Sequence, residues 1–154
     1  MSRQLHTEIV IAAPSESIWA ILTDFAAYPD WNPFIRHISG KLETGARLEV
    51  ELAPPGSRAM TIRPTLREVQ PVRTLRWLGQ VGLPGLFDGE HNFQIEQLAD
   101  GRVRFVQSER FSGVLVPLVM PFIGASTQQG FEAMNTALKE RAEALAPGRK
   151  VQAA

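Results

Sequence analysis

Three side chains on one short stretch have the types and spacing to do chemistry together. Residues 89–111 read GEHNFQIEQLADGRVRFVQSERF. His91, Phe93 and Ile95 alternate along one strand, and Val103, Phe105, Gln107, Glu109 and Phe111 along the next. Directly paired residues point to the same side of a sheet. A three-residue loop, Ala99-Asp100-Gly101, puts glycine where a left-handed residue is wanted. That loop pairs Ile95 with Phe105, Phe93 with Gln107, and His91 with Glu109. An otherwise apolar face then carries an imidazole opposite a carboxylate, with an amide beside them. Glutamate is rarely buried unless it is paired. An apolar setting favours the protonated carboxyl and a neighbouring imidazolium the ionised one. Such a pair can share a proton, act as acid and base, or orient a polar group of a ligand. It can also simply satisfy itself, or splay outward to water.

Other chemistry-bearing residues are scattered. His6 lies near the N-terminus and His37 sits beside Arg36 at a strand start, and neither makes a metal-ligand spacing. There is no cysteine, so disulfides, thiolate catalysis and cysteine-based metal sites are out. Phosphate-binding and nucleophile-elbow motifs are absent, and no cofactor is expected. Sixteen Lys plus Arg balance sixteen Asp plus Glu, which argues against a nucleic-acid partner. The N-terminus, MSRQLHTEIVIAAP, lacks the long apolar run of a signal peptide, and no stretch reaches the roughly 20 apolar residues that span a bilayer. A cytoplasmic protein without stable membrane insertion is expected.

The elements that must position the pair follow from periodicity. LHTEIVIA (5–12) reads as a strand. Pro14 then fits a helix start, and Ile18, Ile21, Leu22 and Phe25 form one helical face. Tyr28-Pro29 is expected to end it. From Ile35 to Phe111 the period is two. Leu48, Val50 and Leu52 alternate with charges, and Met60, Ile62, Pro64 and Leu66 read as one further strand, with Arg63 facing Glu49 on the solvent side. Thr127, Phe131, Met134, Leu138, Ala142 and Leu145 mark an amphipathic helix of about six turns. Pro147-Gly148 stops it, leaving 147–154 as an expected flexible tail to a single domain, 1–146.

About seven antiparallel strands and one long apolar helix satisfy each other if the curved sheet wraps the helix, giving an α+β fold. Such a wrap tends to leave a cavity. Residues 113–124, GVLVPLVMPFIG, join the last strand to the helix. Two prolines argue against continuous helix there. The segment reads as a buried plug, as a lid at a cavity mouth, or as a loop making transient membrane contact.

Four stretches together resemble the START-like, or SRPBCC, superfamily: IVIAAPSESIWAILTDFAAYPDWNPF (9–34), LRWLGQ (75–80), GEHNFQIEQL (89–98) and GFEAMNTALKERAE (130–143). The resemblance covers nearly the whole chain and is closest to bacterial polyketide cyclase/dehydrase-like members. It implies a helix-grip fold with a deep apolar pocket. It carries no catalytic residue, because members bind unrelated ligands, only some catalyse reactions, and no catalytic motif is common to them. The expected ligand is a small hydrophobic molecule such as a lipid, isoprenoid or aromatic. Its pocket is expected to be lined by Trp31, Phe34, Trp77, Phe93, Phe131 and Met134, with His91, Gln107 and Glu109 as polar groups. Three functions stay open: a carrier or sensor of that molecule, a cyclase- or dehydratase-type enzyme using His91 and Glu109 as an acid/base pair, and a protein-interaction domain using 113–124. The oligomeric state is not legible.

Overall fold

The structure is a computed structural model that describes residues 2–146. The expected tail, 147–154, lies outside the described residues. Eight strands and three helices follow in the order β1 (Ser2–Ile11), α1 (Ser15–Thr23), a 3₁₀ turn (Phe25–Ala27), α2 (Tyr28–Trp31), β2 (Ile35–Ser39), β3 (Glu49–Leu52), β4 (Met60–Ile62), β5 (Thr65–Gln70), β6 (Thr74–Val81), β7 (Phe87–Gln97), β8 (Val103–Ser112) and α3 (Val116–Leu145). One antiparallel sheet runs β1-β8-β7-β6-β5, and a smaller one runs β2-β3-β4. A bridge between Arg47 and Thr65 links them. The long helix α3 packs across β1 and β8, and α1 packs against α3 and β7. This is the helix-grip arrangement: a curved antiparallel surface around one long C-terminal helix.

The hairpin of β7 and β8 has the register that parity demands. His91 pairs with Glu109, Phe93 with Gln107, and Ile95 with Phe105. Gly101 takes a positive φ of 89° in the connecting turn, a conformation other residues adopt at a cost. Arg63 and Glu49 form an exposed ion pair at 3.2 Å, worth about 0–1 kcal/mol.

Four local readings are corrected. The expected single strand over 60–66 is two, β4 and β5, which raises the count from seven strands to eight. Pro64 is the break: it has no N–H for a ladder, and its carbonyl instead accepts from Leu48 N at 2.8 Å. Tyr28-Pro29 opens α2 rather than ending a helix, because proline is tolerated in a first turn where its N–H has no partner. Thr23 is the last residue of α1, and Phe25 reaches the core from the 3₁₀ turn instead. Residues 116–124 are helical. Pro117 sits in the first turn of α3, while Pro121 lies inside the helix and removes a single backbone hydrogen bond near its N-terminal end. Val116 and Met120 are buried there, whereas Leu118 and Phe122 face outward.

The stretch at 24–34 is held by two devices. Tyr28 is wholly buried and donates its hydroxyl to Leu22 O at 2.6 Å; burial pushes the phenol's pKa far above its ordinary value. Asn32 Oδ1 accepts from Phe34 N at 2.9 Å and Ile35 N at 2.8 Å, an Asx turn that fixes where Phe34 enters the core. The Phe34 ring lies on α3 over Gly130, where a Cβ would stand 2.3 Å from the ring. Phe34 also meets Phe131 edge-on at 5.6 Å.

Two glycines of α3 therefore respond oppositely to a methyl group. Gly130→Ala must push the Phe34 ring aside, and a loss of about 1–3 kcal/mol is expected. At Gly124 the same Cβ meets Met120 Cε at an ordinary 3.5 Å. Gly124→Ala is expected to be neutral or to stabilise by up to about 1 kcal/mol through helix propensity. Urea unfolding of the two variants measures the contrast.

Candidate functional site

The antiparallel register sets side chains in rows across the main sheet. One row runs Leu5, Glu109, His91, Trp77, Leu66. The next contains Thr7, Gln107, Phe93 and Leu75. Both rows face α3, whose Phe131 meets the His91 ring edge-on at 4.9 Å. Trp77 stacks on His91 with centroids 5.2 Å apart. One turn beyond Phe131, Asn135 reaches down to Gln107.

These polar groups form one hydrogen-bonded chain. The Thr7 hydroxyl donates to the Gln107 carbonyl at 2.8 Å, and Asn135 Nδ2 donates to Thr7 Oγ1 at 2.9 Å. Gln107 Nε2 donates to Asn135 Oδ1 at 2.7 Å and approaches the Phe131 carbonyl at 3.4 Å. His91 Nε2 lies 3.0 Å from Gln107 Oε1, and His91 Nδ1 lies 3.0 Å from Glu109 Oε1. Thr7, His91, Gln107 and Asn135 are all buried.

The chain has one direction. Backbone carbonyls only accept. The Gln107 carbonyl takes the single hydroxyl proton of Thr7, so Thr7 Oγ1 must accept from the Asn135 amide N–H. Asn135 then presents its oxygen to Gln107, and the Phe131 carbonyl also requires N–H from that side. Gln107 is left presenting Oε1 to His91, so His91 Nε2 carries a proton and donates it. A single further proton lies between Nδ1 and Glu109 Oε1, whether the pair is written as imidazolium and carboxylate or as imidazole and carboxylic acid. Both nitrogens of His91 are thus engaged.

A cavity of about 420 Å³ lies beside this pair. Its walls come from both sheets and from the first half of α3, with Leu52, Met60, Ile62, Phe87, Phe111 and Ile123 supplying apolar surface. Of the residues expected from sequence, Phe34, Trp77, His91 and Glu109 line it. Phe93, Gln107, Phe131 and Met134 are buried but are not on its wall. Gln107 and Phe131 instead touch His91 from behind. Trp31 is half-buried and packs on Tyr28 at 5.2 Å, away from the wall. The 113–124 segment contributes Ile123 to the wall, and its Val114, Leu118 and Phe122 are exposed.

Sequence reading missed Gly89, Asn135 and Thr7. Gly89 makes room for the carboxylate: a Cβ there would stand 2.2 Å from Glu109 Oε2. The Glu109 side chain is 17% exposed, and Oε2 lies over Gly89 on the cavity wall. A glycine inside a strand is a signal of close approach. Thr7 stands among Leu5, Ile9 and Ile11 on the inward parity, and Asn135 lies four residues after Phe131, so both were polar residues at core positions. Among the described residues, no group of three His, Asp or Glu side chains could hold a metal ion. No helix among them is long and apolar enough to cross a membrane.

Comparison with known proteins agrees with this architecture. A family model described as polyketide cyclase / dehydrase and lipid transport matches residues 2–143. The Zhui aromatase/cyclase from Streptomyces sp. R1128 superposes with a TM-score of 0.72 at 18% identity, covering 94% of this chain and 95% of that one. A START superfamily protein from Mycobacterium smegmatis gives 0.72 at 22% identity, covering 93% and 99%. Norcoclaurine synthase from Thalictrum flavum, a point mutant in complex with a transition-state analogue, gives 0.71 at 17%, covering 92% and 94%. At these identities the likeness shows the fold alone. No curated protein matches the sequence.

The direction of the chain can be read experimentally. Nitrogen-15 NMR is expected to find His91 protonated at Nε2 in the folded protein. Gln107→Met keeps the bulk but strands both the His91 N–H and the Asn135 oxygen, at about 1–3 kcal/mol for each buried group left unpaired. Urea unfolding should show the loss, and the Nε2 assignment should no longer be fixed in that variant.

Proposed function

The chain belongs to the polyketide cyclase/dehydrase and lipid transport family, and we propose that it is a carrier or sensor that binds a small hydrophobic molecule in the cavity beside His91 and Glu109. The observation that carries this reading is the make-up of the wall. Apolar side chains supply most of the wall around about 420 Å³ of space, the buried, internally hydrogen-bonded His91–Glu109 pair stands at its inner end, and Arg47, Arg58 and Gln80 are among its other polar residues. Ligand sites generally combine a mostly apolar lining with a few placed polar groups. The aromatase/cyclase and norcoclaurine synthase folds are built on the same plan, which fits an apolar or aromatic guest.

A second reading is an enzyme of the cyclase or dehydratase type, and the His91–Glu109 contact at 3.0 Å favours it. On this reading the two members of the acid/base pair take different roles. Both nitrogens of His91 are engaged, so Glu109 is the group a substrate would meet, and His91 holds it in place.

Ligand binding to the folded state alone raises stability by about 2.7 kcal/mol at a hundredfold excess over Kd, a rise in Tm of roughly 5–10 °C for a chain of this size. Native mass spectrometry of the purified protein, followed by thermal melts with whatever it retains, is expected to show that rise. Melts unmoved by a broad set of lipids and aromatics would count against the carrier reading. For the enzymatic reading, Glu109→Gln is expected to abolish turnover while the cavity still fills. An activity that survives both this change and His91→Ala excludes the acid/base mechanism.

A further inference from the structure

We propose that the inner wall of the cavity selects its ligand by a hydrogen-bond donor: an apolar body carrying a hydroxyl or phenol O–H, set against Oε2 of Glu109, in preference to the ether or ketone of the same shape. This rests on the ligand-binding reading above and adds to it the polarity of the group that the wall accepts.

The inference follows from where the protons are. The one proton shared by His91 and Glu109 lies between Nδ1 and Oε1, 3.0 Å apart. With the pair ionised, Oε2 is a carboxylate oxygen. With the proton moved to the carboxyl, Oε2 is its carbonyl oxygen. It is an acceptor in both cases. His91 cannot supply a donor instead, because Nε2–H is held by Gln107 Oε1 at 3.0 Å, and the ring is covered by Trp77 and Phe131. The Ser126 hydroxyl on the α3 side is already turned to the Ile123 carbonyl at 3.2 Å. On the inner wall Oε2 is thus an acceptor, and the Trp77 indole N–H and the Thr127 hydroxyl, which also line the cavity, can donate. A ligand hydroxyl can donate to Oε2 and still accept from those groups, whereas an ether or ketone oxygen set against Oε2 leaves two acceptors facing each other. The rim has the opposite character, since the exposed Arg47 and Arg58 offer donors to any acceptor at the ligand's other end. A ligand of this class therefore enters with its O–H first.

Matched probes separate this from plain hydrophobic binding. Naphthol and its methyl ether form one pair, and decanol and its isomeric methyl ether another. In each pair the ether is the more apolar, so burial of apolar surface alone ranks the ether first. Titration calorimetry on the full chain is expected to rank the O–H member ahead by at least about tenfold. Glu109→Gln should keep that order, because its amide N–H can donate to His91 Nδ1 while its carbonyl takes the place of Oε2. Glu109→Met should lose it. Equal affinities, or an ether that binds more tightly to the unmodified protein, would overturn donor selection and leave the cavity as a ligand site. A preference that persists in Glu109→Met also overturns it, by placing the selecting group elsewhere. Binding of none of the four compounds up to their solubility limits overturns both readings.

Discussion

A carboxamide buried in the middle of a sheet has two N–H groups and an oxygen to satisfy without water, and Gln107 answers that demand by tying four elements together. Its own carbonyl takes the hydroxyl of Thr7 on β1, its amide N–H reaches Asn135 and the Phe131 carbonyl on α3, and its oxygen takes the ring of His91 on β7. An unpaired polar group at this depth costs about 1–3 kcal/mol, so each of these partners is held where the amide needs it. The position of α3 along the sheet and the tautomer of His91 thus depend on the same side chain. The orientation of His91, and through it of the Glu109 carboxylate at the cavity wall, is fixed from behind by this contact.

Close packing and open space divide the region under α3 between them. Where Phe131, Met134 and Leu138 meet the sheet, the core is filled, with Phe93 and Phe105 beneath. Toward Ile123, Ser126 and Thr127 the sheet instead carries Gly79 and Gly89, paired across β6 and β7. Missing side chains there leave the volume that the cavity occupies, and at Gly89 they leave the place that the Glu109 carboxylate fills. The smaller sheet closes the far side through Leu52, Met60 and Ile62. The cavity is the part of the core that the sequence leaves unfilled, and the carboxylate is the polar group that leans into it.

How much of this was legible in the sequence depended on whether a rule of parity or a rule of sterics was being applied. Parity is strict: with side chains alternating, the turn at Ala99-Asp100-Gly101 placed His91 opposite Glu109, and the register agrees residue for residue. Proline rules are softer. Alternation runs straight through Pro64, although a missing N–H splits the strand there. Pro117 and Pro121 argue against a continuous helix, yet losing one hydrogen bond in a 30-residue helix is bearable when Val116 and Met120 bury their side chains. A face shared with His91 makes Gln107 a candidate wall group. The structure sets it behind the imidazole, and no periodicity carries depth. Asn135 and Thr7 were visible as polar residues at core positions, but their meaning required knowing that they meet across more than a hundred residues of chain.

The polar cluster also bears on whether this face is merely structural. Well-packed apolar residues of the same volume commonly serve stability as well as a buried charged pair does, or better, because they need no desolvation. Sheet and helix here already share an apolar core that runs from Leu5 to Ala142, so the grip does not require a carboxylate inside it. Had the pair been needed only to satisfy itself, the simplest arrangement would enclose both of its ends. Instead one end is anchored through Gln107 to two backbone carbonyls, and the other puts an oxygen over Gly89 at the cavity wall. A chain fixed at its buried end and open at its cavity end is the arrangement expected of a group that is held still for something else to meet.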